Sequence, residues 1–199
     1  MNKKGKIKKP KFIILSSPSG GGKSSLCNML LSARDNFVYS ISCTTRPPRG
    51  SEIDGVHYYF INEEEFKNQK NNGKFLEYAR VHDYLYGTTK ESIFNNMQNG
   101  YSVILDIDVQ GAKSIREMIS HTSESIIKDG FIDIFIMPPS IKVLEMRLRN
   151  RKTNTEESIK KRLIEAEKEI KKSKDFSHVI INDNLEFAFS ELCNIIDSF

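Results

Sequence analysis

The stretch SSPSGGGKSSL, Ser16–Leu26, decides the fold predicted for this chain. It follows a short apolar segment of β-strand type, Lys11–Leu15, and the residues after Lys23 read SSLCNMLLSA, which is typical of a helix. The order of strand, glycine-rich loop and helix is typical of a phosphate-binding loop, because the loop then lies at the N-terminus of the helix. We therefore expect a nucleotide to bind here.

The residue types of the loop fit that role. Gly20–Gly22 have no Cβ, so the backbone adopts positive φ without strain and its N–H groups turn towards a phosphate. Lys23 brings an ammonium group to the β and γ phosphates, and the Ser24 hydroxyl is positioned to bind Mg²⁺. The predicted nucleoside triphosphate site consists of Ser17, Pro18, Ser19, Gly20, Gly21, Gly22, Lys23, Ser24 and Ser25.

The loop departs at one position from the consensus G-x-x-x-x-G-K-[ST], because the first glycine is replaced by Ser17. This change affects the backbone where the loop begins, whereas Gly22, Lys23 and Ser24 are retained. A glycine- and serine-rich turn that happens to precede a lysine is the competing interpretation. The strand before the loop and the helix after it favour the phosphate site.

Composition sets the broad class of the protein. A chain of 199 residues with 38% hydrophobic and 28% charged residues fits one globular domain with room for a small inserted subdomain. It has no run of about 18 apolar residues and no apolar signal core, so we expect no membrane span and a cytoplasmic protein. Cys27, Cys43 and Cys193 lack metal-type spacing, and their odd number favours reduced thiols.

Residues 1–10 contain five lysines and no acidic residue, so they account for the whole net charge of +4. We predict that this segment is a solvated, disordered basic arm. Nucleic-acid binding by the arm is the competing interpretation, and the near-neutral remainder of the chain disfavours it.

Strands and helices alternate after the loop, which predicts an α/β fold with a parallel sheet covered by helices on both faces. The later strands are predicted at 37–43, 101–108, 131–137 and 178–181. The region between the first two of these has short elements and many turns, which indicates an insertion into the sheet. We expect 121–130 to be a surface loop or a frayed helix end, and the last helix to bury a face from Leu185 to Phe199.

The order of several motifs resembles that of the guanylate kinases. The similar segments are SSPSGGGKSS, SCTTRPPRGSEIDGVHYYF, FLEYA, YGTT, ILDIDVQG and TEESIKKRL, and they span about residues 11 to 198. The resemblance implies a P-loop core, a GMP-binding insertion and a helical lid. These units correspond to 11–41, 93–139 and 176–199 for the core, about 42–92 for the insertion and about 140–175 for the lid.

The resemblance implies a phosphate site for GMP within the insertion. Arg46 and Arg49 lie on a loop stiffened by two prolines, and Tyr58 follows it. These three residues are expected to hold the GMP phosphate, because guanidinium groups pair with phosphate in bidentate geometry. Tyr86 is expected to assist. The alternative is that the arginines are solvent-exposed loop residues.

The resemblance also implies a site for the guanine base. Glu77 is expected to accept the two N–H donors on one edge of guanine, which adenine lacks. Ser42 and Thr88 are expected near the guanine carbonyl. A site built for such hydrogen bonds discriminates strongly against a base that leaves its polar groups unpaired.

Three arginines are implied to belong to the lid and to contact the transferred phosphoryl group. Arg147 and Arg151 are four residues apart and so share a helix face, and Arg162 lies on the next helix. A solvated basic face is the alternative for these helices. With Lys23 and Arg46, the three arginines form the predicted catalytic set.

Acidic and amide residues follow two predicted strands. Asp106 is predicted to hold a Mg²⁺-bound water. By family analogy Asp108 is a guanine-side or metal-side acid, although aspartates at a strand end also serve as helix caps. Asn182 and Asp183 are expected near the adenine of ATP.

The resemblance therefore implies transfer of the γ-phosphoryl group of Mg-ATP to GMP, and also to dGMP. Two rivals are an interaction module that keeps this fold but binds protein ligands, and a P-loop phosphotransferase with another small acceptor. The retained Gly22, Lys23 and Ser24 argue against the first rival. The sequence leaves a monomer and a homodimer equally open.

Overall fold

The computed structural model describes residues 9–81, 83–150 and 155–199. Residues 1–8, which form most of the predicted basic arm, lie outside these ranges, and so does Arg151. Among the residues that the structure describes, no helix has the length and apolar character needed to cross a membrane.

The strands of the described chain are β1 Phe12–Ser16, β2 Phe37–Tyr39, β3 Cys43–Thr44, β4 Tyr59–Phe60, β5 Phe75–Val81, β6 Tyr84–Thr89, β7 Ser102–Asp106, β8 Phe131–Met137 and β9 His178–Ile181. The α-helices are α1 Lys23–Ala33, α2 Glu63–Asn71, α3 Lys90–Gln98, α4 Val109–His121, α5 Ser125–Gly130, α6 Ile141–Asn150, α7 Glu156–Lys171 and α8 Leu185–Ser198. A short 3₁₀ turn at Ser173–Asp175 connects α7 to β9.

The main sheet has five parallel strands in the order β2-β7-β1-β8-β9. Its central strand β1 is fully buried. Phe12 and Ile14 pack with α3, α4 and α5 on one face, whereas Ile13 and Leu15 pack with α1 and α8 on the other. This arrangement confirms the predicted fold class, since a parallel sheet needs apolar cover on both faces.

A second, four-stranded sheet has the order β4-β3-β6-β5 and lies within the stretch 42–92. It has its own apolar cluster, in which the rings of Phe66 and Phe75 stack at 4.4 Å between centroids beside Cys43. A further small cluster joins α6 to α7 and includes Leu144. The GMP-binding and lid assignments of these two regions remain predictions.

Three details of the predicted secondary structure were wrong. The strand expected at 37–43 divides into β2 and β3, because the chain leaves the main sheet after Ser40 donates its N–H to the Ile104 carbonyl. The segment expected to be a loop at 121–130 contains α5, because Ile127 is buried in the core. Leu185 at the start of α8 and Phe199 just after its end are exposed, so the buried face of this helix is shorter than predicted.

Candidate active site

The phosphate loop lies between the end of β1 and the start of α1. Gly20 and Gly22 have φ angles of 94° and 101°, which require glycine, and Gly22 is the N-cap of α1 without a side-chain cap. The first N–H groups of the helix therefore face an open cavity of about 370 Å³. Its lining residues are Ser17, Pro18, Ser19, Gly20, Gly22, Lys23, Ser24, Ser25, Asp106 and Glu169.

The structure accommodates Ser17 at the position of the first consensus glycine. Ser17 is 8% exposed, and its hydroxyl donates to the Pro18 carbonyl at 2.9 Å. A Cβ on Gly21 would lie only 2.7 Å from the Ser17 Oγ. The serine fits because the residue that it packs against is a glycine.

Asn182, which follows the edge strand β9, is hydrogen-bonded to the phosphate loop. Its Nδ2 donates to the Gly21 carbonyl at 2.8 Å, and the residue is 3% exposed. A Cβ on Gly22 would lie 2.0 Å from the same nitrogen. The buried amide of Asn182 therefore shapes the loop, whereas its predicted contact with adenine remains a prediction, as does that of the exposed Asp183.

Lys23 points to the end of β7. Its Nζ forms an ion pair with Asp106 and donates to the Ile107 carbonyl at 3.2 Å. Both side chains are mostly buried, with exposed fractions of 17% and 18%. The ammonium group of Lys23 thus lines the cavity and is paired there with an acidic side chain.

Asp108 adopts the helix-capping role that was one of its two predicted alternatives. Its Oδ1 accepts from the backbone N–H groups of Gln110 and Gly111 at 2.9 and 2.8 Å and so caps α4. This bond fixes the junction between β7 and α4. A substrate contact by its other oxygen remains a prediction.

The residues predicted to bind the guanine base are connected by a chain of hydrogen bonds. Glu77 is 8% exposed, and its Oε1 accepts from the Thr88 hydroxyl at 2.8 Å. The Ser42 hydroxyl lies 3.1 Å from the Thr88 hydroxyl. Burial raises the pKa of Glu77, and the nearby charge of Asp108 raises it further.

The structure also brings the predicted GMP-phosphate residues together. Arg46 is buried, and its Nε donates to the Tyr86 hydroxyl at 3.1 Å. The rings of Tyr58 and Tyr86 meet edge to face at 5.8 Å between centroids. Arg49 lies on the same loop with an exposed side chain. The terminal nitrogens of Arg46 bind Glu52, a residue that the sequence reasoning did not single out.

The two helices predicted to form the lid contact the phosphate loop. Arg162 Nη1 donates to the Ser19 hydroxyl at 3.0 Å. A Cβ on Gly20 would lie 3.1 Å from the Leu144 side chain, so α6 packs closely on the loop. Arg147 instead donates to the Asn182 carbonyl at 2.8 Å.

Glu169 on α7 also lines the phosphate cavity and was missed by the sequence reasoning. Burial and the charge of Asp108 raise its pKa to about 7. The available signal was its position seven residues after Arg162, which is two helical turns and hence the same face. In a lysine-rich helix this spacing did not distinguish it from the surface acids.

The cavity offers oxygen donors of the kind that Mg²⁺ binds. Ser24 and Asp106 both line it. Among the described residues, no group of three or more His, Cys, Asp or Glu side chains is arranged to hold a metal by itself. Mg²⁺ usually binds through one or two protein oxygens together with substrate phosphates and water, so the residues present fit a nucleotide-bound ion.

The fold and the site together define a P-loop kinase-like protein. It has a parallel sheet, a glycine loop with Lys23 at the start of α1, and Asp106 at the end of the neighbouring strand. The chain belongs to the guanylate kinase family, whose pattern it matches over residues 9–199.

Individual relatives agree with this assignment. The guanylate kinase of Rickettsia prowazekii is 45% identical over 185 residues, which cover 93% of this chain and 89% of that protein. The guanylate kinase of Clostridioides difficile is 40% identical, with 96% and 89% covered. The crystal structure of guanylate kinase from Anaplasma phagocytophilum superposes with a TM-score of 0.71 at 33% identity, covering 95% of this chain and 85% of that one.

Proposed function

We propose that this chain transfers the γ-phosphoryl group of Mg-ATP to GMP, and also to dGMP, at a site between the phosphate loop and the second sheet. Membership of the guanylate kinase family gives it the ATP-dependent phosphorylation of GMP to GDP. The roles of individual residues are the finer part of the proposal.

One observation carries the proposal, namely the position of the β7–α4 junction. On one side, Asp106 pairs with Lys23 of the phosphate loop. On the other, a Cβ on Gly111 would lie 3.5 Å from the Glu77 carboxylate. A donor phosphate site and a buried acceptor for a base therefore share one short segment, as in-line transfer between two nucleotides requires.

On the donor side, the loop N–H groups and Lys23 bind the β and γ phosphates. Ser24 would hold Mg²⁺ directly and Asp106 would hold it through water. The ion would neutralise charge on the phosphate oxygens. Arg147 supports the loop of Asn182 and Asp183, at which we place the adenine.

On the acceptor side, Glu77 accepts the two N–H donors of guanine, with Asp108 nearby at the start of α4. Thr88 and Ser42 complete the base site. We assign the binding of the GMP phosphate to Arg46, Arg49, Tyr58 and Tyr86. Residues 42–92 thus form the GMP-binding insertion, and the two substrates approach from opposite sides of the β7–α4 junction.

The attacking group is the GMP phosphate, which is already ionised at neutral pH, so no strong general base is needed. Rate acceleration then depends on alignment and on cations around the transferred group. Lys23 and Arg46 serve the two substrates, while Arg162 reaches the loop from the lid, residues 140–175. We assign Arg147 and Arg151 to the same lid.

The test compares Lys23→Ala with Lys168→Ala in ADP formation from Mg-ATP and GMP. Lys168 is an exposed lysine of α7 paired with Glu165, and so serves as a matched control. We expect the first variant to lose about 10²-fold or more in turnover and the second to keep wild-type turnover. Near-wild-type turnover in Lys23→Ala would contradict the proposal.

The compartment is part of the same proposal. The thiols of Cys27, Cys43 and Cys193 are free in the structure. Reduced thiols suit the cytoplasm, in which we place this enzyme.

A further inference from the structure

Arg46, to which we assign the GMP phosphate, is buried, with an exposed fraction of 4%. Its guanidinium lies 5.4 Å from the centroid of the Tyr58 ring and 5.8 Å from that of Phe60. A charged group enclosed in this way is costly unless it is paired and hydrogen-bonded. The pairing therefore determines which of its edges remains available.

Glu52 provides that pairing. Its Oε2 accepts from Arg46 Nη1 at 2.8 Å and its Oε1 accepts from Nη2 at 2.9 Å, so the carboxylate spans the end of the guanidinium in bidentate geometry. Arg46 Nη1 also donates to the Pro47 carbonyl at 2.7 Å, and Nε donates to the Tyr86 hydroxyl at 3.1 Å.

These bonds leave one N–H group of Arg46 for a ligand. A guanidinium has five N–H groups, and four are engaged by Glu52, Pro47 and Tyr86 within the described part of the chain. The fifth is on Nη2, on the side of Nε. This remaining Nη2 N–H, on the side of the Tyr86 hydroxyl, is therefore the group of Arg46 that can meet a phosphate.

The same carboxylate fixes the loop that carries both arginines. Glu52 Oε2 accepts from the backbone N–H of Arg49 at 2.7 Å. The bonds from Arg46 and from the Arg49 backbone lower the pKa of Glu52 to about 2. The carboxylate thus stays charged throughout the pH range in which the enzyme is assayed.

We propose that Glu52 is a positioning residue for the phosphate of GMP. By holding the end of the guanidinium, it turns the remaining Nη2 N–H of Arg46, beside the Tyr86 hydroxyl, towards the substrate and keeps Arg49 within reach of the same phosphate. This inference rests on the proposed function and names a residue that acts through Arg46 without itself touching the substrate.

The experiment measures the affinities of wild type, Glu52→Gln and Glu52→Ala for GMP and for guanosine, by calorimetry and NMR titration. Guanosine keeps the base and lacks the phosphate. We expect GMP binding to weaken about tenfold in Glu52→Gln, which removes the charge and one acceptor of the bidentate pair with Arg46. Glu52→Ala removes the whole pair, so GMP should bind still more weakly. Guanosine affinity and the KM for ATP should not change.

A double substitution adds a direct readout of the coupling. Removing Glu52 in an Arg46→Lys background should cost less than removing it from wild type, since the two residues act as a unit. Glu64→Gln, a change of an exposed acid on α2, serves as the control and should bind both ligands normally.

Three results would overturn the positioning role. The first is unchanged GMP affinity in Glu52→Ala. The second is tighter GMP binding, which would show that Glu52 competes with the phosphate for Arg46. The third is equal weakening of GMP and guanosine binding, which would indicate general damage to the fold. Wild-type turnover of Mg-ATP with GMP is measured first. Absence of turnover would contradict the proposed function. Normal wild-type turnover together with an unchanged GMP affinity in Glu52→Ala would contradict only the role of Glu52.

Discussion

Replacing Glu77 with Gln should weaken GMP binding and at the same time stabilise the ligand-free protein. Glu77 is 8% exposed, and Thr88 donates to its Oε1. In Glu77→Gln the amide oxygen keeps that bond, so the NH₂ group faces the guanine donors. A hydrogen bond to a charged group is worth about 1.5–3 kcal/mol, and about 1.4 kcal/mol is tenfold in affinity, so we expect GMP to bind about 100-fold more weakly.

The effect on stability has the opposite sign. Burial raises the pKa of Glu77 in the folded protein, which means that the folded state binds the proton more tightly than the unfolded state does. The resulting stability is fully present below the unfolded pKa and is lost as pH rises through the raised folded pKa. At neutral pH the glutamine variant should therefore have the higher Tm, and the difference should shrink in acid.

The assay pairs calorimetric titration of GMP and of an ATP analogue with thermal denaturation at neutral and acidic pH. Glu64→Gln, a change of an exposed acid on α2, is the control for charge removal. The expected result is a loss of GMP affinity with unchanged ATP affinity and a raised Tm at neutral pH. Equal loss of both affinities would show that Glu77 does not read the base, and an unchanged GMP affinity would exclude Glu77 from the guanine site.

Three further predictions concern other parts of the molecule. Gly22→Ala puts a Cβ 2.0 Å from Asn182 Nδ2 at a φ of +101°. The KM for ATP should therefore rise, and backbone strain of about 1–3 kcal/mol should lower the Tm. Normal ATP kinetics in this variant would contradict the loop geometry. Asp133→Asn breaks the buried pair with Arg116, at 2.7 Å, and should cost about 3–5 kcal/mol in urea unfolding while KM values stay constant; unaltered stability would contradict this. Guanosine affinity should fall as pH is lowered through the raised pKa of Glu77, because base binding needs the ionised carboxylate, whereas the Glu77→Gln variant should show no such dependence.

Local patterns predicted the phosphate loop and the sheet around it well. The alternation of strands and helices follows from apolar periodicity, and the flanking Gly20–Gly22 and Lys23 follow the residue pattern of a phosphate-binding loop. The failures occurred where tertiary packing overrides local composition. The polar segment around Ile127 became helical because this one side chain reaches the core.

The long-range contacts of the site were beyond sequence reasoning. Asn182 binds the Gly21 carbonyl across 161 positions of the chain. Glu169 reaches the phosphate cavity only because α7 packs back over the loop. Glu52 lies close to Arg46 in sequence, yet the bidentate pair depends on the path of the loop through Pro47, which no residue pattern specifies.

ADP formation from Mg-ATP, with GMP, dGMP, AMP, CMP and UMP supplied in parallel, tests the proposed reaction and its guanine specificity together. We expect rapid turnover with GMP and dGMP alone, because the proposed base site uses the buried Glu77 to accept a pair of donors that adenine lacks. Comparable turnover with AMP or a pyrimidine nucleotide would keep a P-loop phosphotransferase but contradict the guanine site, and no turnover with any acceptor would contradict the proposed reaction itself.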